Sequence, residues 1–154
     1  MHPYLLKEFR NRWFLIGRTG TNKTITTYGL ERIKAIKNSD AEFIPNDLFD
    51  PFIYYENVVG VTVYPGDVPQ KIHIKAFPSC VPYIKTKPIH KHQKSIKDFK
   101  DGSVLFELNV IVNFELKSIL LSYGEGIEIK KPSSLRAQIK SELKKMSGYY
   151  KTSR

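Results

Sequence analysis

The sequence predicts an α+β chain in two parts: a β-rich first part, and a βαββαβ second part that carries one more helix. Three observations support this. Apolar and polar residues alternate at 12–18, 71–76 and 104–112, the period of a half-buried strand. Helical spacing appears at Leu116, Ile119, Leu120 and Tyr123, and again at Leu135, Ile139, Leu143 and Met146. Turn clusters at 19–22, 65–67 and 101–102 cut the chain where the pattern changes.

In order along the chain, Tyr4 to Leu6 is a short apolar piece, and Glu8 to Asn11 is polar and turn-like. Residues 12–18 place Arg12, Phe14, Ile16 and Arg18 on one face and Trp13, Leu15 and Gly17 on the other. Thr19-Gly20-Thr21-Asn22 is a turn. Residues 23–28 are rich in β-branched side chains, Gly29 marks a bulge or bend, and 30–36 continue as strand. Short strands joined by tight turns favour a small barrel or a meander. Residues 38–50 are polar and acidic and include Pro45, so they form a loop. Phe43, Phe49, Phe52, Ile53, Tyr54 and Tyr55 supply rings and apolar bulk that would pack over a sheet. Residues 58–63 are apolar. Pro65-Gly66-Asp67 turns the chain and sets the boundary, giving domains 1–66 and 67–154.

In the second domain Ile72, Ile74 and Ala76 point inward from a strand at 71–76. Ser79 can cap a short helix through about Lys85, with Pro82 in its first turn and Pro88 past its end. Residues 94–100 and 103–112 flank Asp101-Gly102, a strong hairpin signal. Val104, Phe106, Leu108, Val110 and Val112 share one face, which must be core. Asn113 can cap a helix that Gly124 stops. Ile127 and Ile129 mark a strand, and Pro132-Ser133-Ser134 opens a last helix closed by Gly148. The first six elements follow the split βαβ, ferredoxin-like plan.

Charge and composition bound the function classes. The 154 residues hold 25 Lys+Arg against 15 Asp+Glu, a formal +10, which suggests a polyanionic partner and says nothing about fold. The charge is unevenly placed. Residues 1–70 carry eight bases and eight acids, and residues 71–154 carry the other 17 bases and seven acids, hence the whole +10. Four of the six arginines precede residue 33, while the second half is rich in lysine. Arginine makes bidentate, directional contacts and lysine is a hydrated point charge, so the early arginines are the better candidates for a defined site. One cysteine, Cys80, excludes an intrachain disulfide framework and a Cys-rich zinc site. No apolar run approaches the roughly 20 residues that span a bilayer. Residues 1–12 lack the apolar stretch of a signal peptide. A cytoplasmic chain with no membrane partner is expected.

Three local signals bear on chemistry. Residues 17–24, Gly-Arg-Thr-Gly-Thr-Asn-Lys-Thr, look superficially like a phosphate-cradling loop. Asn22 stands where that loop needs glycine, and a β-like run follows where it needs a helix, so a hairpin turn is expected. His90 and His92 could face one side of an extended segment, but two ligands do not make a zinc site, and a solvated basic loop is the expectation. Cys80, with no identified base, reads as a small buried hydrophobe. No nucleophile–base set or paired carboxylates appear, so neither an enzyme nor a cofactor or metal is expected.

Two groups point to binding. Lys85, Lys87, Lys91, Lys94 and Lys97 belong to a basic run that either attracts phosphate or blunts a strand edge. Arg10, Arg12, Trp13, Arg18, Tyr28 and Arg32 mix guanidinium groups with rings on neighbouring predicted strands. Such a surface can grip phosphates while rings stack on bases; alternatively Trp13 is core and the arginines are surface.

Arg12-Trp13-Phe14-Leu15, followed by Tyr28-Gly29-Leu30-Glu31-Arg32-Ile33, resembles the WYL domain, with Phe14 in place of the family's name-giving tyrosine and so without its hydroxyl. His2-Pro3-Tyr4-Leu5-Leu6 resembles the segment before that motif. The second half resembles the C-terminal extension that follows WYL domains, through Pro88-Ile89-His90 with Gln93, Asp101-Gly102, Glu115-Leu116-Lys117 with Tyr123-Gly124, and Pro132 with Leu135. The resemblance implies a small Sm-like, SH3-type barrel, N-terminally incomplete, followed by the ferredoxin-like extension. It also implies the sensory part of a bacterial transcriptional regulator, without the helix-turn-helix domain such proteins carry upstream. The expected partner is a nucleic acid or nucleotide-like effector, single strands included. A homodimer is expected because a second protomer could fill an unpaired barrel edge. Arg10, Arg12 and Arg32 would contact phosphates, Trp13 and Tyr28 would stack or shape the pocket, and His2 and Tyr4 would sit at its rim. The rival expectation is a protein-interaction or dimerisation module whose basic surface is incidental.

Overall fold

The computed structural model describes residues 1–21 and 23–150. Asn22, which belongs to the expected turn cluster, and residues 151–154 lie outside them. The chain forms two compact units, Met1–Thr62 and Val63–Arg154. Its class is α+β.

The first unit is an open antiparallel meander, β1 (His2–Phe9), β2 (Arg12–Arg18) and β3 (Ile25–Gly29), in that order. The sheet does not close into a barrel among the described residues. Arg10 and Asn11 link β1 to β2 with φ of 52° and 60°, both left-handed, which matches the right-handed twist of a tight hairpin. Glu8 Oε1 accepts the Asn11 N–H at 2.6 Å and closes that turn. A bulge between Pro3 and Leu5 shifts the β1–β2 register by one residue. The strand expected over 30–36 is absent. Leu30–Arg32 is instead a single 3-10 turn, and residues 33–40 have no regular structure. The Ile33 N–H is satisfied locally by Leu30 O at 3.1 Å, so the chain leaves the sheet instead of extending β3. Residues 38–50 are irregular, and Asp67 and Tyr64 close the 65–67 turn on each other with Gly66 at φ 86°.

The second unit runs β4 (Gln70–Ala76), α1 (Val81–Thr86), β5 (Lys94–Asp98), β6 (Val104–Val110), α2 (Phe114–Ser122), β7 (Ile127–Lys131) and α3 (Ser133–Tyr149). The sheet order is β5-β6-β4-β7 with every neighbour antiparallel, which is the ferredoxin-like order. Inward side chains of β4 and β6, Ile72, Ile74, Phe106, Leu108 and Val110 among them, are almost wholly buried with Ile84 of α1, Leu116 and Leu120 of α2, and Leu135 of α3. Asn113 caps α2, its side chain accepting the Leu116 N–H at 2.9 Å. Ser79 does not cap α1. The first amides there are taken by Phe77 O, from Cys80 N at 2.8 Å and Val81 N at 3.1 Å, which leaves Ser79 without that role. The β5–β6 connection is a five-residue loop, in which Gly102, at φ 78°, and Phe99 bond across the turn. Gly148 lies inside α3 instead of closing it. No helix among the described residues is long and apolar enough to cross a membrane.

Candidate functional site

β2 is the middle strand of the first unit, so what covers each of its faces decides what remains available. One face is covered. Ile16 is fully buried there, and Arg18, the register partner of His2, is 7% exposed. Rings from the following loop pack on β1: Phe43 lies 5.9 Å from His2 and 6.2 Å from Tyr4, and Phe49 lies 6.3 Å from Tyr4. Polar contacts fix the same loop. The Ile44 N–H donates to His2 Nδ1 at 3.1 Å, and the Tyr4 hydroxyl donates to Pro45 O at 3.4 Å. Arg18 donates to Asp47 Oδ1 at 3.3 Å and to Thr21 O at 2.7 Å, while its Nε finds no partner among the described residues. His2, Tyr4 and Arg18 therefore clasp the aromatic loop to the sheet. His2 and Tyr4 do not rim a pocket with Trp13 and Tyr28.

The other face is open. Trp13, Leu15 and Gly17 alternate onto it, with Pro3, Leu6 and Glu8 of β1 and Thr26 and Tyr28 of β3 as register partners. Trp13 is 51% exposed, so it is not core. Tyr28 pairs with Leu15 and stands diagonally from Trp13, within reach for a shared ligand. The Tyr28 hydroxyl is held 3.3 Å from Thr19 Oγ1. Where the chain leaves β3, residues 33–39 return along this side and wall a groove of about 580 Å³ that holds Tyr28, Leu15, Arg32, Lys34 and Lys37. Lys34 and Lys37 line this groove because the chain leaves the sheet at Leu30–Arg32 instead of continuing as the strand expected over 30–36.

The arginines divide. Arg12 and Arg32 converge on one carboxylate: Glu31 Oε1 is 3.8 Å from Arg12 Nη1 and 4.0 Å from Arg32 Nε, all three side chains well exposed. Gly29 permits this, because a Cβ there would fall 2.7 Å from Glu31 Oε1. Arg10 stays in the hairpin turn, 5.7 Å from the Phe9 ring, and joins neither group. In the sequence, Glu31 was visible only as a neighbour of Arg32; its role follows from the 3-10 turn.

The basic run of the second unit is dispersed over a sheet edge. Lys85 lies 3.8 Å from Asp98 Oδ1, and Lys97 sits 4.9 Å over the Phe99 ring. Lys87 is exposed beyond α1. Lys91 and Lys94 wall a shallow groove of about 360 Å³ with His92 and Glu107. A hydrogen bond from His73 Nε2 at 2.9 Å, then the charge of Lys71, hold the Glu107 carboxyl below the usual range. The Ser103 hydroxyl and amide pull Asp101 down to about 2. His90 is buried, its Nδ1 accepting the His92 N–H at 3.3 Å, so the expected solvated histidine pair holds for His92 alone. Cys80 is buried and packs on Gly126, and that burial pushes its thiol up. No three His, Cys, Asp or Glu side chains cluster for a metal among the described residues.

Residues 69–147 match the WCX domain. Among solved structures the chain is similar to proteasome accessory factor B/C (PafBC) of Arthrobacter aurescens, at 13% sequence identity and a TM-score of 0.41. That match covers 97% of this chain and 22% of the other, so the chain spans about a fifth of that protein's length. A search among curated proteins found no match.

Proposed function

The chain belongs to the WCX-domain family, and on that premise we propose that it is the effector-sensing part of a transcriptional regulator, with residues 1–62 acting as a WYL-type binding unit. WCX domains occur in WYL-associated regulators, which supports the regulatory part of the reading. The ligand is a nucleic acid or nucleotide-like effector, and no reaction is catalysed. The observation that carries this is the open face of the first sheet. It exposes Trp13 beside Tyr28 and rims an apolar groove with Arg32, Lys34 and Lys37. Rings that offer a π-face to a base, next to cations that follow a backbone, are what binding of a single strand requires. At the edge of the sheet Arg12, which alternates with Phe14 and Ile16 on the face opposite Trp13, and Arg32 flank a carboxylate, Glu31, and a phosphate there would compete for the same two guanidinium groups. Binding would shift the geometry of a dimer and so pass a signal to a DNA-binding domain.

The test is titration of the full chain with labelled single-stranded oligonucleotides and with nucleotides at several salt concentrations. Binding should weaken as salt rises. Trp13→Ala and Tyr28→Ala should each weaken it by about 1–3 kcal/mol per stacked base. Tight binding that is unchanged by these variants and by Arg12→Ala plus Arg32→Ala overturns the assigned site. The second reading, a protein-interaction or dimerisation module, is favoured by Ile36, which is 86% exposed on the wall of the same groove. A stable dimer in light scattering, with no salt-dependent affinity for any nucleic acid, decides for it.

A further inference from the structure

The last helix begins on the sheet and ends beyond it. Leu135 is fully buried, Ile139 is half-buried, and Leu143 and Met146 on the same stripe are 48% and 45% exposed. Beside the stripe, Leu121 of α2, Ile127 of β7 and Ile139 and Leu143 of α3 wall an apolar groove of about 240 Å³. One flank of the stripe is cationic: Arg136, Lys140 and Lys144 follow at four-residue spacing and form a single row. Arg136 is committed to β7, bonding Glu128 Oε1 and Ile129 O at 2.6 Å each. Lys140 and Lys144 have no acidic partner among the described residues. The one acid of the helix, Glu142, is taken by Lys117 of α2 at 3.1 Å. With Lys145, which lies outside that row, four cations against the single acid leave α3 at +3.

We propose that this groove and the exposed stripe beside it bind an acidic amphipathic helix of a partner protein. Apolar side chains of the partner would enter the groove at helical spacing, and its carboxylates would meet Lys140 and Lys144. Charge selects this occupant over a second copy of the chain, which would bring +3 against +3. Size selects it over a small-molecule ligand, because pockets for those run to about 300–1,000 Å³. Shape selects it over an anionic bilayer, since the groove is a recess between two helices and a strand, and a flat surface does not enter it. The inference concerns the second unit and stands apart from the ligand reading of the first.

The probe is a fluorescein-labelled peptide of about 18 residues, long enough to be helical, with leucines along one face and glutamates elsewhere. Controls are the same peptide with glutamine for glutamate, the same composition scrambled, and vesicles containing anionic lipid. Saturable binding of the acidic peptide to the full chain is expected in fluorescence polarisation, with the glutamine and scrambled peptides at least about tenfold weaker. Leu143→Asp should weaken it about tenfold or more. Lys140→Glu plus Lys144→Glu should weaken it about tenfold at low salt, a difference that shrinks as salt rises. Leu143, Lys140 and Lys144 are all exposed, and circular dichroism confirms that each variant is folded; were Leu143→Asp to unfold, the lysine pair decides. The proposal is overturned by no saturable binding, by equal binding of the glutamine peptide, or by binding unchanged in the lysine variant. Binding of vesicles without binding of the peptide also overturns it, as does self-association that Leu143→Asp abolishes.

Discussion

The two units solve burial in opposite ways. The second has a four-stranded sheet whose inner face is continuous hydrocarbon, from Ile72 and Ile74 through Phe106, Leu108 and Val110, buried with side chains of α1, α2 and α3. The first has a three-stranded sheet on which Ile16 is the one wholly buried large side chain, and its cover is a loop held by rings and by a buried guanidinium. Polar clasps of this kind add little net stability, because ions and hydrogen bonds lost to water offset what they regain. Apolar burial contributes roughly 25 cal/mol per Å² with no such offset. The unit with the dense core therefore carries stability, and the unit with the thin core keeps an aromatic face exposed. In the second unit, exposed apolar side chains include Leu143 and Met146, where α3 runs past the sheet, along with Tyr83 of α1, Ile96 of β5 and Phe114 of α2.

The sharpest way to break this comparison is to empty the dense core. Phe106→Ala removes a ring that is 2% exposed and should cost about 3–5 kcal/mol, measured by denaturant unfolding. A cost near that of a surface change would mean that the core is not where stability lies. Next comes the tightest spot of the thin unit. A Cβ on Gly17 would fall 2.2 Å from His2 O, backbone that cannot swing aside, so Gly17→Ala should cost about 1–3 kcal/mol and loosen β1 from β2. Amide exchange on residues 2–9 would report the loosening while β6 stays protected. Asn113→Ala, which deletes the α2 cap, should cost about 1 kcal/mol by the same unfolding measurement.

The smallest effect is electrostatic. Asp101 has a folded pKa of about 2 against an ordinary 3.8, because the Ser103 hydroxyl and amide bond its charged form. A depressed carboxylate stabilises the fold above its unfolded value and loses that contribution as pH falls through the folded one. Stability should thus decline between pH 3.8 and about 2, and Asp101→Asn should flatten that decline. The signal belongs to the second unit, where Glu107 and Glu128 shift the same way, so acid should loosen that unit.

What could be read in advance follows the range of the forces involved. The alternation at 12–18, the Asn113 cap and the β-α-β-β-α-β-α order depend on residues a few positions apart, and each was legible. Ser79 misled because a carbonyl two residues earlier, Phe77 O, supplies the bonds that a cap would have made. The strand expected at 30–36 misled because its β-branched and apolar residues fit a strand equally well, and only the missing neighbour beside β3 excludes one. Of the rings and arginines singled out in the sequence, Trp13 and Tyr28 stand on the open face, whereas the convergence of Arg12 and Arg32 on Glu31 was not legible.

By itself the sequence determined the α+β class, the order of elements in the second unit, which faces of β4 and β6 are core, and the crowding of arginines into the neutral first half. Tertiary structure alone decided which face of β2 is covered. A bulge after Pro3 resets the parity of β1, and a loop 29 to 42 residues away in the chain brings Phe43, Pro45 and Asp47 onto His2, Tyr4 and Arg18. Period-two alternation defines two faces but carries no label for the segment that will return to cover one of them, because that choice depends on contacts distant in the chain. That is why His2 and Tyr4, named with Trp13 in one site, lie on the covered side, and why Lys34 and Lys37 take a place beside Tyr28.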